Sequence, residues 1–204
     1  MNILEYNSFT KYKLVIFDLD DTLYPEREYL FSAYESIAKL VADRSGSNEW
    51  VYSEYLKKSF INGGRGNLFD SFINEFNLSN LVSIQEMLLI LRTNCCELTL
   101  YRKAKDLLDY LQNEGVKSVI FTNGNLTQQH NKINCLKLKD SYPAVAVYYA
   151  SEYEPKPSPV GLKAILLDFN INSKKALVIG DSTTDYEAAK AAGIEYLDSH
   201  FLHN

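Results

Sequence analysis

The chain has 204 residues, a net charge of −5, and 46% hydrophobic against 23% charged residues. These are ordinary globular values, enough for one domain with a sizeable insertion or for two small ones. Lys and Arg form no basic run that would suit nucleic acid, and no stretch approaches the ~20 apolar residues of a membrane helix. The segment Met1 to Tyr12 lacks the basic and apolar blocks of a signal peptide. Three cysteines, Cys95, Cys96 and Cys135, cannot make an even disulfide framework and lack zinc spacing. Buried thiols in a reduced, cytoplasmic protein are the expectation.

The first element is an apolar strand, Lys13 to Phe17, which ends abruptly in Asp18-Leu19-Asp20-Asp21. Helical periodicity follows in four segments: Glu28 to Arg44, Glu49 to Ile61, Asn67 to Phe76 and Leu81 to Leu91. Gly46, the run Gly63-Gly64-Arg65-Gly66 and Asn77 to Asn80 separate them. Helices with such short connections predict a bundle. After about Leu98 the pattern alternates. Tyr101 to Asn113 reads as helix, Val116 to Phe121 as strand, Leu126 to Leu136 as helix and Ala144 to Tyr149 as strand. Pro159 to Asp168 reads as helix, Ala176 to Ile179 as strand, Asp185 to Ala192 as helix and Ile194 to Leu197 as a last strand. Alternation of this kind predicts an α/β doubly wound parallel sheet, Rossmann-like, with the helical bundle inserted. The predicted domains are 1–22 plus 99–204 for the core and 23–98 for the bundle. The tail, Asp198 to Asn204, is expected to be loosely ordered.

In a parallel sheet the carboxyl ends of the strands share one edge, where ligands bind. Asp18 and Asp20 follow the first strand, Thr122-Asn123-Gly124 the second, Glu154-Pro155-Lys156-Pro157 the third, and Gly180-Asp181-Ser182-Thr183-Thr184-Asp185 the fourth. Two carboxylates as close as Asp18 and Asp20 repel one another, and they make sense where a divalent cation or a proton transfer uses them. Asp18 is the candidate nucleophile, since carboxylates form aspartyl-phosphates, and Asp20 the candidate general acid/base. Thr122 and the backbone around Asn123 and Gly124 can bind phosphoryl oxygens, with a helix N-terminus behind them. Lys156 offers a cation to nucleophile and phosphoryl group. Asp181 can hold Mg²⁺ with Asp18, and Asp185 can support Lys156 or a metal-bound water. Each fragment alone has a plain reading as a turn or helix cap. The conjunction on four strand ends is what points to a site.

The four motifs together resemble those of the haloacid dehalogenase superfamily, over Lys13 to Leu197. Asp18-Leu19-Asp20-Asp21-Thr22 is similar to its first motif, Thr122-Asn123-Gly124 to its second, Lys156 to its third, and Gly180 to Asp185 to its fourth. The resemblance implies a covalent phosphoryl intermediate on Asp18 and an acid/base at Asp20. It implies Mg²⁺ held by Asp18, the backbone carbonyl of Asp20 and Asp181, and a bundle that serves as an α-helical cap. Leu23-Tyr24-Pro25 is similar to a branch with pyrimidine nucleotidase-like members. An acid at the Asp20 position implies phosphate rather than halide chemistry. Arg65, in the Gly-rich cap loop, is a candidate substrate contact or a solvated turn residue, and Tyr24 either lines the pocket or packs beneath the cap. The three histidines are read as peripheral. The expectation is a Mg²⁺-dependent phosphatase of a small phosphorylated metabolite such as a sugar phosphate, a nucleoside monophosphate or phosphoglycolate. It would be a monomer or homodimer with no nucleic-acid or membrane partner. A phosphomutase and a non-catalytic binding protein are the alternatives.

Overall fold

The structure is a computed structural model that describes residues 7–63 and 66–203. It divides into two compact units, one running to Glu26 and resuming at Glu97, the other Arg27–Cys96.

The first unit is built on a five-stranded sheet in the order β3-β2-β1-β4-β5, every neighbouring pair parallel. The strands are β1 (Leu14–Phe17), β2 (Lys117–Thr122), β3 (Ala146–Tyr149), β4 (Ala176–Gly180) and β5 (Glu195–Asp198). All four residues of β1 are buried, as a central strand covered on both faces requires. One core gathers Leu14, Ile16, Val119, Phe121 and Val178 with Leu162, Ile165, Ala188 and Ala189. The alternate residues Val15, Phe17, Ile120 and Ile179 are buried as well. Chain order leaves β1 toward β2 and β3, then returns on the other side to β4. That reversal is the topological switch point beside which doubly wound sheets bind ligands. Phe17 lies level with Ile120 of β2 and Ile179 of β4, so the residues just beyond them emerge together.

The inserted unit carries helices α1 (Glu26–Ser45, whose first residue belongs to the sheet unit), α2 (Glu49–Ile61), α3 (Leu68–Phe76) and α4 (Ile84–Thr93). Its interior is aromatic: Tyr52 meets Phe72 and Phe76 edge to face at 5.8 and 4.9 Å between centroids. The Tyr29 hydroxyl donates to the Leu91 carbonyl at 2.8 Å and ties α1 to α4. Leu23 and Tyr24, both fully buried, stay with the sheet, where the Tyr101 amide donates to the Leu23 carbonyl at 2.8 Å. The remaining helices of the sheet unit are α5 (Arg102–Asn113), α6 (Leu126–Cys135), the single turn α7 (Leu138–Ser141), α8 (Val160–Asp168) and α9 (Thr183–Ala192).

The structure corrects two expectations. The tail is ordered as far as it is described, to His203: Ser199–Leu202 forms a 3₁₀ turn, Ser199 and Leu202 are fully buried, and the His203 ring stacks on Tyr101 at 4.6 Å. Leu202 supplies the apolar burial, and the polar composition of the segment hides it. The cysteines are not all buried, since Cys95 is exposed and Cys96 and Cys135 are half-buried.

Candidate active site

The residues that follow the strand ends meet in two groups. The first surrounds Lys156. Its ammonium lies 2.5 Å from Asp18 Oδ1 and 2.6 Å from Asp185 Oδ1, and donates to the Phe121 carbonyl at 3.0 Å. Asp18, Lys156 and Asp185 are all buried. Asn123 holds Lys156 in place through its backbone: its amide nitrogen donates to the Lys156 carbonyl at 3.0 Å and its oxygen accepts from the Lys156 amide at 2.9 Å. The Asp18 amide continues the β1–β4 ladder by donating to the Ile179 carbonyl at 2.9 Å. Asp18 therefore starts from a fixed backbone.

Asp185 is fixed by the start of α9. Ser182 caps the helix and accepts from the Asp185 amide at 3.2 Å, while Asp185 Oδ2 accepts from the Ser182 amide and hydroxyl at 3.2 and 2.6 Å. This reciprocal cap leaves Asp185 Oδ1 for Lys156. Asp181, half-buried, completes the group, and oxygens of Asp18, Asp181 and Asp185 lie within 4.8 Å of one another.

Three carboxylates thus face one ammonium. Burial pushes the Asp18 carboxyl up to about 8 against the opposing pull of Lys156, with Asp185 and Asp20 adding to the rise. Burial and the Asp185 charge push Asp181 up to about 6. Burial disfavours the Lys156 ammonium, but the Asp18 and Asp185 charges outweigh it and its pKa rises. Excess negative charge in a buried place wants a further cation, and an all-oxygen donor set suits Mg²⁺. The residues present fit that ion.

The second group surrounds Asp20. Asp18 has Lys156 for its cation. Asp20 has its own: the Lys132 ammonium lies 2.8 Å from both Asp20 oxygens and 3.2 Å from Glu26 Oε1. The Tyr24 hydroxyl donates to Asp20 Oδ1 at 2.6 Å, and Gln129 Nε2 donates to Asp20 Oδ2 at 2.8 Å and to Thr122 Oγ1 at 2.6 Å. Tyr24 is fully buried, its hydroxyl committed to Asp20. Thr122 is buried beside this group, and Gly124 is exposed with φ 126° at the approach to α6. Asp21 takes a left-handed conformation, φ 51°, and its Oδ1 accepts from the Glu26 amide at 2.9 Å, which makes it the cap of α1. Arg65 lies outside the described residues.

Sequence reasoning passed over Lys132, Gln129 and Glu26. A signal exists: α6 has few apolar residues, so its inward stripe, Gln129, Lys132 and Ile133, is mostly polar. A polar inward stripe marks a helix that faces other polar groups.

Comparison with known proteins places the chain in a family. Residues 15–198 match the sequence profile of the family described as haloacid dehalogenase-like hydrolase. The chain is similar to a phosphoglycolate phosphatase of Pseudomonas putida, 25% identical over 94% of this chain and 71% of that one. It is also similar to a glyceraldehyde 3-phosphate phosphatase of Pyrococcus furiosus, 34% identical over 45% of this chain and 38% of that one. In fold it is similar to a putative β-phosphoglucomutase from Thermotoga maritima, with a TM-score of 0.67, 18% identity, and coverage of 94% and 97% of the two chains. With the profile spanning nearly the whole chain, the protein belongs to the haloacid dehalogenase-like hydrolases.

Proposed function

We propose that the protein is a Mg²⁺-dependent phosphatase that hydrolyses a small phosphorylated metabolite through an aspartyl-phosphate on Asp18. The observation that carries this reading is the buried Lys156 held between Asp18 at 2.5 Å and Asp185 at 2.6 Å, with Asp181 completing an oxygen-rich set. Asp18 and Asp181, with the Asp20 backbone carbonyl, would hold Mg²⁺, and Asp185 supports the set from its helix cap. When bound, the ion supplies charge neutralisation for nucleophile and phosphoryl oxygens.

In the first half-reaction an Asp18 carboxylate oxygen attacks phosphorus, the bond to the leaving oxygen breaks, and Asp20 gives that oxygen a proton. In the second, Asp20 takes a proton from water as the water oxygen attacks phosphorus. The acyl-phosphate P–O bond then breaks, returning the Asp18 carboxylate and inorganic phosphate. Lys156 steadies the Asp18 carboxylate and the phosphoryl group. Thr122 and the backbone amides at Asn123 and Gly124 bind phosphoryl oxygens, with the α6 N-terminus behind them. The inserted helical unit is the part of the chain left to choose the substrate, in the role of a cap. Sugar phosphates, nucleoside monophosphates and phosphoglycolate are the candidates, and the names of the two phosphatase relatives support substrates of this size.

The test is phosphate release from p-nitrophenyl phosphate and from a metabolite panel, with Mg²⁺ and with EDTA. Release that needs Mg²⁺ and stops in EDTA is expected. No metal-dependent release from any member contradicts the reading, and isomer interconversion without net release would replace it with a phosphomutase.

A further inference from the structure

Lys132 and Gln129 sit three residues apart on α6, so their side chains share one face of the helix. Both are buried, Lys132 to 1% exposure and Gln129 to 2%. Burying an ammonium is costly unless it is paired, and apolar residues often fill such space at less cost. What the cost secures here is the carboxylate of Asp20. An ionised carboxylate has about four acceptor sites. In this ionised state four contacts hold Asp20: Lys132 to each oxygen at 2.8 Å, Tyr24 to Oδ1 at 2.6 Å and Gln129 to Oδ2 at 2.8 Å, and one of them gives way when Asp20 carries the proton of either half-reaction. A carboxylate only accepts, so Gln129 must turn its nitrogen toward Asp20. The same nitrogen is 2.6 Å from Thr122 Oγ1, which makes that hydroxyl oxygen an acceptor. The Thr122 hydrogen is left with a long 3.3 Å contact to the Asn123 carbonyl, longer than a strong O–H···O bond, and is available to a phosphoryl oxygen.

We propose that Lys132 and Gln129 are positioning residues for the phosphoryl transfer. Lys132 fixes the plane of the Asp20 carboxylate, and Gln129 locks that carboxylate and the Thr122 hydroxyl into one arrangement. The inference rests on Asp20 as acid/base. Neither residue touches the phosphoryl group; each acts through the group it orients.

A misaligned acid hurts most where the departing oxygen most needs a proton. The experiment therefore compares kcat/KM for p-nitrophenyl phosphate, whose leaving group departs readily, with phenyl phosphate, whose leaving group does not, at saturating Mg²⁺. Lys132→Met is expected to lower kcat/KM on phenyl phosphate on the order of 10²-fold, and on p-nitrophenyl phosphate by roughly tenfold or less. Gln129→Met is expected to move the ratio of the two in the same direction. Lys132→Arg, which keeps the cation, is expected to bring the ratio back toward that of the wild type. Circular dichroism and melting curves report folding, and if Lys132→Met does not fold, Gln129→Met and Lys132→Arg carry the comparison. Equal losses on both substrates, or no loss, overturn the inference while leaving the phosphatase reading intact. No turnover by the wild type overturns both.

Discussion

Gly180 ends β4 where a methyl group has no room: an added Cβ would lie 2.6 Å from the Asp185 carboxyl carbon. Asp185 cannot step aside cheaply, because one oxygen is held by Ser182 and the other by Lys156. Gly180→Ala is therefore expected to destabilise the protein by about 1–3 kcal/mol and to reduce turnover, as read by thermal melting and phosphate release. An alanine variant with wild-type melting and rate would show that Asp185 moves freely and does not brace Lys156. Asp18, Thr122 and Asp181 were legible at the sheet edge because they close or directly follow a strand, and Asp20 and Lys156, a few residues past β1 and β3, were placed there by the same chain order. Lys132 and Gln129 were not, since they lie on a helix whose inward face is set by packing. The apparent like-charge pair at Asp18 and Asp20 also resolves only in three dimensions, where Lys156 serves one and Lys132 the other.

At the scale of elements, periodicity located every core strand and the helices α1 to α6, α8 and α9 to within a few residues, because apolar spacing decides them. It missed α7, one turn long and too short to show a period. Helix starts depend on local capping, and that of α4 shows how such a cap responds to pH. Ser83 and Glu86 form a reciprocal cap, and Arg44 pairs with Glu86 at 2.9 Å. The Arg44 contact, with the Ser83 amide and hydroxyl, holds the Glu86 carboxyl down at about 2, against 4.5 for a free one. A lowered folded-state pKa means stability that is fully present above the unfolded value and is lost as pH falls through the folded one. The melting temperature of Glu86→Gln is expected to lie below that of the wild type at neutral pH, and the gap to close as pH falls from 4.5 toward 2. A gap that stays constant over that window would mean that Glu86 acts through packing instead. Its exposure makes the effect small and salt-sensitive.

At the scale of the whole molecule, the chain spends one strand, leaves for a helical unit at Arg27–Cys96, and returns to finish the sheet. The break in periodicity made this arrangement legible, since four helices without an intervening strand cannot belong to an alternating sheet. The ordered tail was not legible, because what orders it is the burial of Leu202 and the stacking of His203 on Tyr101, contacts distant along the chain. Everything proposed for the candidate active site depends on Asp18 being the group that attacks phosphorus. The most direct test is phosphate release by Asp18→Asn beside the wild type at saturating Mg²⁺, with folding checked by circular dichroism. The amide keeps the shape and removes the nucleophile, so a loss on the order of 10³-fold or more is predicted. Turnover near that of the wild type would contradict the account.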